Sequence, residues 1–230
     1  MDRKGITGKT NPENRPRRVN IYDCAALFAL GDSLKDEQGK PAKINYGQAK
    51  EISRHARDKF GLEKAQLDIA YVSIDSHSEA QKRFLDALNA ISIEQEPLDY
   101  RHAFVFDYRQ PFVTWGTGDR GERPVVSLSA QICYLLGLLA ERGDAEVVVW
   151  SPSFDLYHPL LDFVEVRNGK AVIAYFRPFL DPRWAQEGLF DDASPIRFYD
   201  LQDHAQQLVG VDLKQIEEKT VRRASGLRRL

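Results

Sequence analysis

The amino-acid sequence predicts an α/β protein: a three-layer α/β/α sandwich with a mainly parallel central sheet. Two observations carry that expectation. Short runs of β-branched and aromatic residues alternate with segments of helical spacing along most of the 230 residues, the arrangement of successive βαβ units. The strand runs are also largely apolar, as in Glu146-Val-Val-Val-Trp150, which suits strands covered on both faces.

Taken in order, residues 1–17 carry Pro, Asn, Gly and Lys without periodicity and read as a flexible basic leader. Val19–Tyr22 is a short strand that ends at Asp23, and Cys24–Leu30 reads as the start of a helix. The spacing of Tyr46, Ala49, Ile52, Ala56 and Phe60 predicts a helix over 45–59. A buried strand is expected at 68–74, then a helix over 78–91 with Phe84, Leu85, Leu88 and Ile91 on one face. Residues 103–107, Ala-Phe-Val-Phe-Asp, are expected to form the third strand. Residues 111–124 are Gly-rich and charged, the composition of a long loop. Ser127 or Ser129 caps a helix running to Ala140, with Leu128, Ile132, Leu135, Leu136 and Leu139 on its apolar face. Strands at 146–150, 171–176 and 196–199 complete the sheet, with a short helix over 156–163. Two terminal helices are expected at 201–209 and 212–224. The chain thus divides into a leader (1–17), one α/β domain (18–209) and a basic C-terminal helix or tail (210–230).

Composition narrows the function classes. Apolar residues make up 43% and charged residues 29%, a balance that supports a sizeable core beneath a charged surface. No apolar run approaches the ~20 residues that cross a bilayer as a helix, so no membrane partner is expected. The basic start is followed by no apolar signal-peptide core. Cys24 and Cys133 stand in apolar surroundings without metal-ligand spacing; they read as buried thiols, and the compartment as reducing, hence cytoplasmic. Six Lys/Arg against two acids fall in residues 1–20, and six against two in residues 214–230, so basic ends flank an acidic body. Such ends suit arms for nucleic acid or, equally, solubilising tails.

One short motif invites a hydrolase reading. Gly31-Asp32-Ser33-Leu34 matches the nucleophile signature of the GDSL esterases and lipases, and Asp155-Leu-Tyr-His158-Pro159 resembles the block that supplies their other two triad members. In that family the serine block directly follows the first strand, whereas Gly31 lies eight residues beyond Asp23. The family's Gly-x-Asn-Asp block is missing, and about seventy residues follow the Asp/His block. A GDSL-like serine esterase is therefore kept only as an alternative.

A longer resemblance runs from Arg18 to about residue 209. Val19-Asn-Ile-Tyr-Asp23-Cys-Ala-Ala-Leu-Phe28 follows a strand-plus-acid pattern, V-x-I-D-x-x-N-L, and the segment Lys43–Ile52 follows as a helix opening. Residues 68–98 look like a second strand, a helix containing Phe-Leu-Asp-Ala-Leu and a following strand. Residues 147–176 look like a strand, an S-G-D-S-D-F-x-P-L turn, a helix and a G-K-x-V strand. In this order of elements the chain resembles the NYN domain family, a branch of the PIN-like nuclease superfamily with a Rossmann-like sheet.

The resemblance implies metal-dependent cleavage of phosphodiesters, chiefly in RNA, by carboxylates that gather Mg²⁺ or Mn²⁺ at the C-terminal strand edges. It implies Asp23 and Asp155 as catalytic and metal-binding residues, with Asp107 as a substitute third ligand and Asp75 and Asp119 as further ones. The family's other acids are replaced: Ser127 or Ser129 stands at the start of the long helix and Ser153 in the turn, with Ser127 and Ser153 as substrate-binding hydroxyls or, more plainly, cap and turn residues. Ala26 replaces the expected asparagine. Within the Gly-rich loop, Trp115 suits stacking on a base, and Arg120 and Arg123 suit phosphate; a P-loop is excluded because the G-K-[ST] ending is absent. Plainer roles stand beside these: Asp23 as a strand-end acid satisfying loop amides, Asp155 as a helix cap, His158 and His204 as structural or solvent-facing. The expected function is an RNA-acting NYN/PIN-like protein, a weak endoribonuclease with a degenerate acidic site. Its alternative is a non-catalytic module of the same fold that binds RNA, a protein partner or a second copy.

Overall fold

The computed structural model describes residues 16–34, 38–74, 79–99, 113–118, 121–126, 128–141, 143–186 and 190–211. Its elements run β1 (Arg18–Asp23), α1 (Cys24–Ser33), α2 (Tyr46–Lys59), β2 (Leu67–Ile74), α3 (Glu79–Ala90) and β3 (Glu94–Asp99). They continue through β4 (Val113–Gly118), β5 (Gly121–Val126), α4 (Ser129–Ala140), β6 (Glu146–Trp150) and α5 (Tyr157–Glu165). The last are β7 (Lys170–Tyr175), α6 (Arg183–Gln186), β8 (Ile196–Asp200) and α7 (Ala205–Val209).

Six of these strands form one sheet in the order β3-β2-β1-β6-β7-β8. Every pairing within it is parallel. Helices cover both faces, giving the expected three-layer α/β/α sandwich. The register sets Ile21 beside Ile69 and Val149, all 1% exposed or less, so the centre of the sheet is dry. Successive connections leave β1 toward β2 and β3, then return to β6 and continue outward to β8. The strand order therefore reverses between β1 and β6.

Helix α2 shows how local sequence sets a layer. Asn45 caps it, its Oδ1 accepting the Gln48 amide at 3.1 Å. Tyr46, Ala49, Ile52, Ser53, Ala56 and Arg57 turn inward at helical spacing. The helix stops at Phe60, and Gly61 follows with φ +63°, a left-handed exit that costs glycine little. Beneath α2 lies a polar layer. Arg57, 1% exposed, donates to Asn20 Oδ1 at 2.7 Å and to the carbonyls of Val19 and Glu63 at 2.8 Å, with Glu146 beside it at 3.7 Å. Burial lowers this guanidinium to about 10, Glu146 and Asp68 opposing, so it stays charged at neutral pH.

Three expectations change. The third strand of the sheet within the described residues is Glu94–Asp99, and residues 103–107 lie outside those residues. That strand is the one the resemblance places after the Phe-Leu-Asp-Ala-Leu helix; β3 is a sheet edge, where the N–H that Pro97 lacks leaves no central ladder bond unmade. Residues 111–124 are not simply a loop: β4 and β5 pair antiparallel as a separate ribbon, from Val113↔Val126 to Gly118↔Gly121. Its glycines hid the strand pattern. Residues 201–209 form a short 3₁₀ turn at 202–204 before α7, and the helix expected at 212–224 falls outside the described residues.

The Gly31-Asp32-Ser33-Leu34 string has a structural account. It lies in the last turn of α1, not at a strand-to-helix turn. A Cβ on Gly31 would come within 2.5 Å of the Ala42 carbonyl oxygen, so glycine permits that backbone crossing. Ser33 Oγ donates back to the Leu30 carbonyl at 2.7 Å, and Leu34 is fully buried.

A candidate site at the strand-order switch

In an open α/β sheet, the crevice beyond the C-terminal strand ends at the order reversal is where ligands bind. Here β1 and β6 flank that point. Asp23 is the last residue of β1, and Ser151 follows β6 directly. Their side chains meet: Ser151 Oγ donates to Asp23 Oδ2 at 2.9 Å. The other carboxylate oxygen accepts the Ala26 amide at 3.0 Å, which makes Asp23 the cap of α1 as well.

Asp23 is 4% exposed and Ser151 fully buried. Burial pushes the Asp23 carboxyl above its ordinary range; the amides of Ala26 and Ala25 and the Ser151 hydroxyl oppose this. No Lys, Arg or His among the described residues forms an ion pair with it. Cys24 and Tyr46 lie close by. Burial raises the Cys24 thiol to about 12, the neighbouring Tyr46 hydroxyl opposing, which keeps it an inert core group.

The turn after β6 continues the site. Ser151 Oγ accepts the Ser153 amide at 3.4 Å, Ser153 Oγ accepts the Asp155 amide at 3.3 Å, and Ser129 Oγ, from the start of α4, donates to Ser153 Oγ at 3.0 Å. Ser153 is thus the cap of the turn that carries Asp155. Asp155 itself stands on the same rim with 43% of its side chain exposed, its Oδ1 4.0 Å from Arg183. Both expected acids therefore lie at the C-terminal rim of neighbouring strands, one sunk and one exposed.

The remaining expected residues divide. Asp75, Asp107, Asp119, Arg120 and Ser127 lie outside the described residues. Trp115 and Arg123 sit on β4 and β5, and Trp115 pairs with Pro124 in the ribbon. His204 is bonded to the Tyr199 hydroxyl at 2.8 Å and stacks on its ring; His158 is exposed on α5 beside Tyr157. Among the described residues no three His, Cys, Asp or Glu side chains converge as a metal cage. Sequence reasoning missed Ser151, Asp181 and Arg183. The signal for Ser151 was present, a polar residue directly after a strand, but only the strand order makes that strand the neighbour of β1.

No helix among the described residues is long and apolar enough to cross a membrane. No family model matches the chain, and no curated protein does. Among solved structures, the chain is similar to the crystal structure of a protein of unknown function from Vibrio parahaemolyticus, at 12% identity and a TM-score of 0.54. The match covers 83% of this chain and 96% of that one, which establishes a shared fold.

Proposed function

We propose that the protein is an RNA-acting domain of the NYN/PIN-like type, with the crevice between the ends of β1 and β6 as its phosphodiester site. The observation that carries this reading is Asp23, an acid buried without a paired cation among the described residues, at the point where the strand order reverses. An asparagine would cap α1 equally well and avoid burying a charge. An acid in that position costs stability, and a positively charged ligand is what gives it a use.

The donors at this rim are all hard oxygens: the carboxylates of Asp23 and Asp155 and the hydroxyls of Ser151 and Ser153. That set suits Mg²⁺ or Mn²⁺ and disfavours thiolate-seeking metals. Asp23 and Asp155 would hold one ion that keeps most of its waters, not a two-metal centre. Such an ion supplies charge neutralisation at phosphate oxygens and a more acidic water. The chain's own contribution is positional. Ser151 fixes the Asp23 carboxylate, Ser129 and Ser153 fix the turn, and Asp155 adds a solvent-facing negative charge. Asp107 and Ser127 belong to the same proposal, as do Trp115, Arg120 and Arg123 as RNA contacts. So does a cytoplasmic location, since Cys24 and Cys133 are free thiols.

The test is incubation of the protein and its Asp23→Asn variant with single-stranded RNA and Mn²⁺. Cleavage by the wild type that drops at least about 100-fold in the variant supports the site; equal cleavage by both removes it. One observation favours a second reading, a non-catalytic RNA-binding module: both Asp23 oxygens already serve the fold. RNA binding by both proteins with cleavage by neither selects that reading.

A further inference from the structure

Next to the proposed phosphodiester site stands a stacked pair of rings with a guanidinium over one of them. The Phe154 and Tyr157 rings lie 5.1 Å apart at 7°, and the Arg183 guanidinium lies over the Phe154 ring, 4.7 Å from its centroid. Trp184 meets both rings edge-on, at 5.2 and 5.6 Å, and is itself fully buried. Its indole N–H donates to the Pro152 carbonyl at 3.0 Å, and the Asp181 amide donates to the same carbonyl at 3.2 Å. The segment carrying Arg183 is thereby fastened to the turn that carries Ser153 and Asp155.

Arg183 is held in one orientation. Its Nε and Nη2 donate to the two oxygens of Asp181 at 3.0 and 2.7 Å, and Asp155 lies 4.0 Å away. Two acids thus offset its charge, while 54% of the side chain remains exposed. A phosphate at this place would face two carboxylates. A neutral planar group would not, and a fixed guanidinium plane is a good stacking surface.

Resting on the RNA reading above, we infer that the plane of Arg183 opposite Phe154 is a subsite for an unpaired nucleobase, which sets single-stranded RNA as the ligand. A base stacked there holds the guanidinium between itself and Phe154 and lies beside Asp155, at the rim of the phosphodiester site. A duplex cannot use the subsite, because its bases are already stacked on each other. Stacking on side-chain platforms is tolerant of base identity, so the subsite selects strandedness rather than sequence.

The experiment is fluorescence anisotropy in EDTA, with a short labelled oligoadenylate and a duplex of equal length, on the wild type, Arg183→Lys and Arg183→Ala. Both variants are expected to weaken oligoadenylate binding by about tenfold and to leave duplex binding unchanged. Lysine keeps the charge and loses the plane, so full affinity in Arg183→Lys overturns the subsite. So does an equal loss on single strand and duplex, which would mark a charge effect or a protein-facing turn. If Asp23→Asn abolishes cleavage while both Arg183 variants bind normally, the base subsite fails alone. If the wild type binds neither RNA, it fails together with the functional reading.

Discussion

Two buried acids lie on adjacent strands of one sheet in very different company. Asp68 on β2, 9% exposed, accepts from Asn20 Nδ2 at 2.7 Å and from the Tyr22 hydroxyl at 3.1 Å, and Lys50 sits 3.3 Å from its second oxygen. Asp23 at the end of β1 is more deeply buried, yet its partners are an amide and a hydroxyl, with no cation paired among the described residues. Asp68 belongs to a layer that also includes Arg57, Glu146, Ser53 and the Trp150 indole, bonded across α2, β1, β2 and β6. Charge there is matched by charge, and the layer fixes how α2 sits on the sheet. At Asp23 the charge is unmatched among the described residues. Polar burial in the first region is architecture; in the second it is the feature on which the proposed ligand site rests.

The comparison can be broken at several points. The largest effect is expected from Arg57→Ala, which removes the donor to Asn20 Oδ1 and to the carbonyls of Val19, Glu63 and Glu146 and leaves the buried Glu146 carboxylate with Lys170 and the Glu63 amide alone. A loss of about 3–5 kcal/mol should appear in urea denaturation. Survival of the variant at near-normal stability would show that the α2 layer is dispensable. Ser151→Ala removes the one side-chain donor to Asp23 among the described residues. Its expected cost is about 1.5–2 kcal/mol at neutral pH, falling in acid where the carboxyl is protonated, and the Asp23 titration followed by carbon NMR should move further upward.

Asp23→Asn sharpens the contrast because its sign is opposite. The folded carboxyl is raised above its unfolded value, so its proton-linked contribution to stability is fully present below the usual carboxylate range. That contribution is lost as pH rises through the folded value. Above that value the wild type carries an unmatched charge. The asparagine variant keeps the cap without that charge and should be more stable by about 1 kcal/mol at neutral pH, with the gain vanishing in acid. Thermal unfolding at two pH values measures it; a destabilised variant at neutral pH would contradict the unmatched charge. The smallest effect belongs to Asp155→Asn. Its pair with Arg183 is exposed and loose, so stability should stay within about 0.5 kcal/mol while any cleavage activity falls.

Much of the fold was legible in the chain. Burial on both faces leaves a plain signature in Glu146-Val-Val-Val-Trp150 and in Ile69–Val72, and helical spacing marked α2, α3 and α4. Strands whose sequence offends local rules were harder to read: β3 was reached only through the resemblance, and residues 111–124 were read as a loop. Pro97 is tolerated in β3 because that strand is an edge, and edge position is a property of the assembled sheet. The β4–β5 ribbon was obscured by its glycines for the same reason: pairing partners, not intrinsic preference, hold such a strand.

The site divides in the same way. The sequence by itself determined that an acid ends the first strand, that Ser-Pro-Ser-Phe-Asp follows a buried one, and that the glycine-serine string lies beyond the first strand's turn. Those are local facts, fixed by spacing and side-chain type. Only the tertiary structure decided that β1 and β6 are neighbours, that Ser151 rather than a lysine meets Asp23, and that Arg183 is laid over Phe154 beside Asp155. Contacts between residues more than a hundred positions apart depend on which strands pair and on how the sheet is ordered. No local pattern encodes that choice; it emerges when every strand and helix buries its apolar face at once.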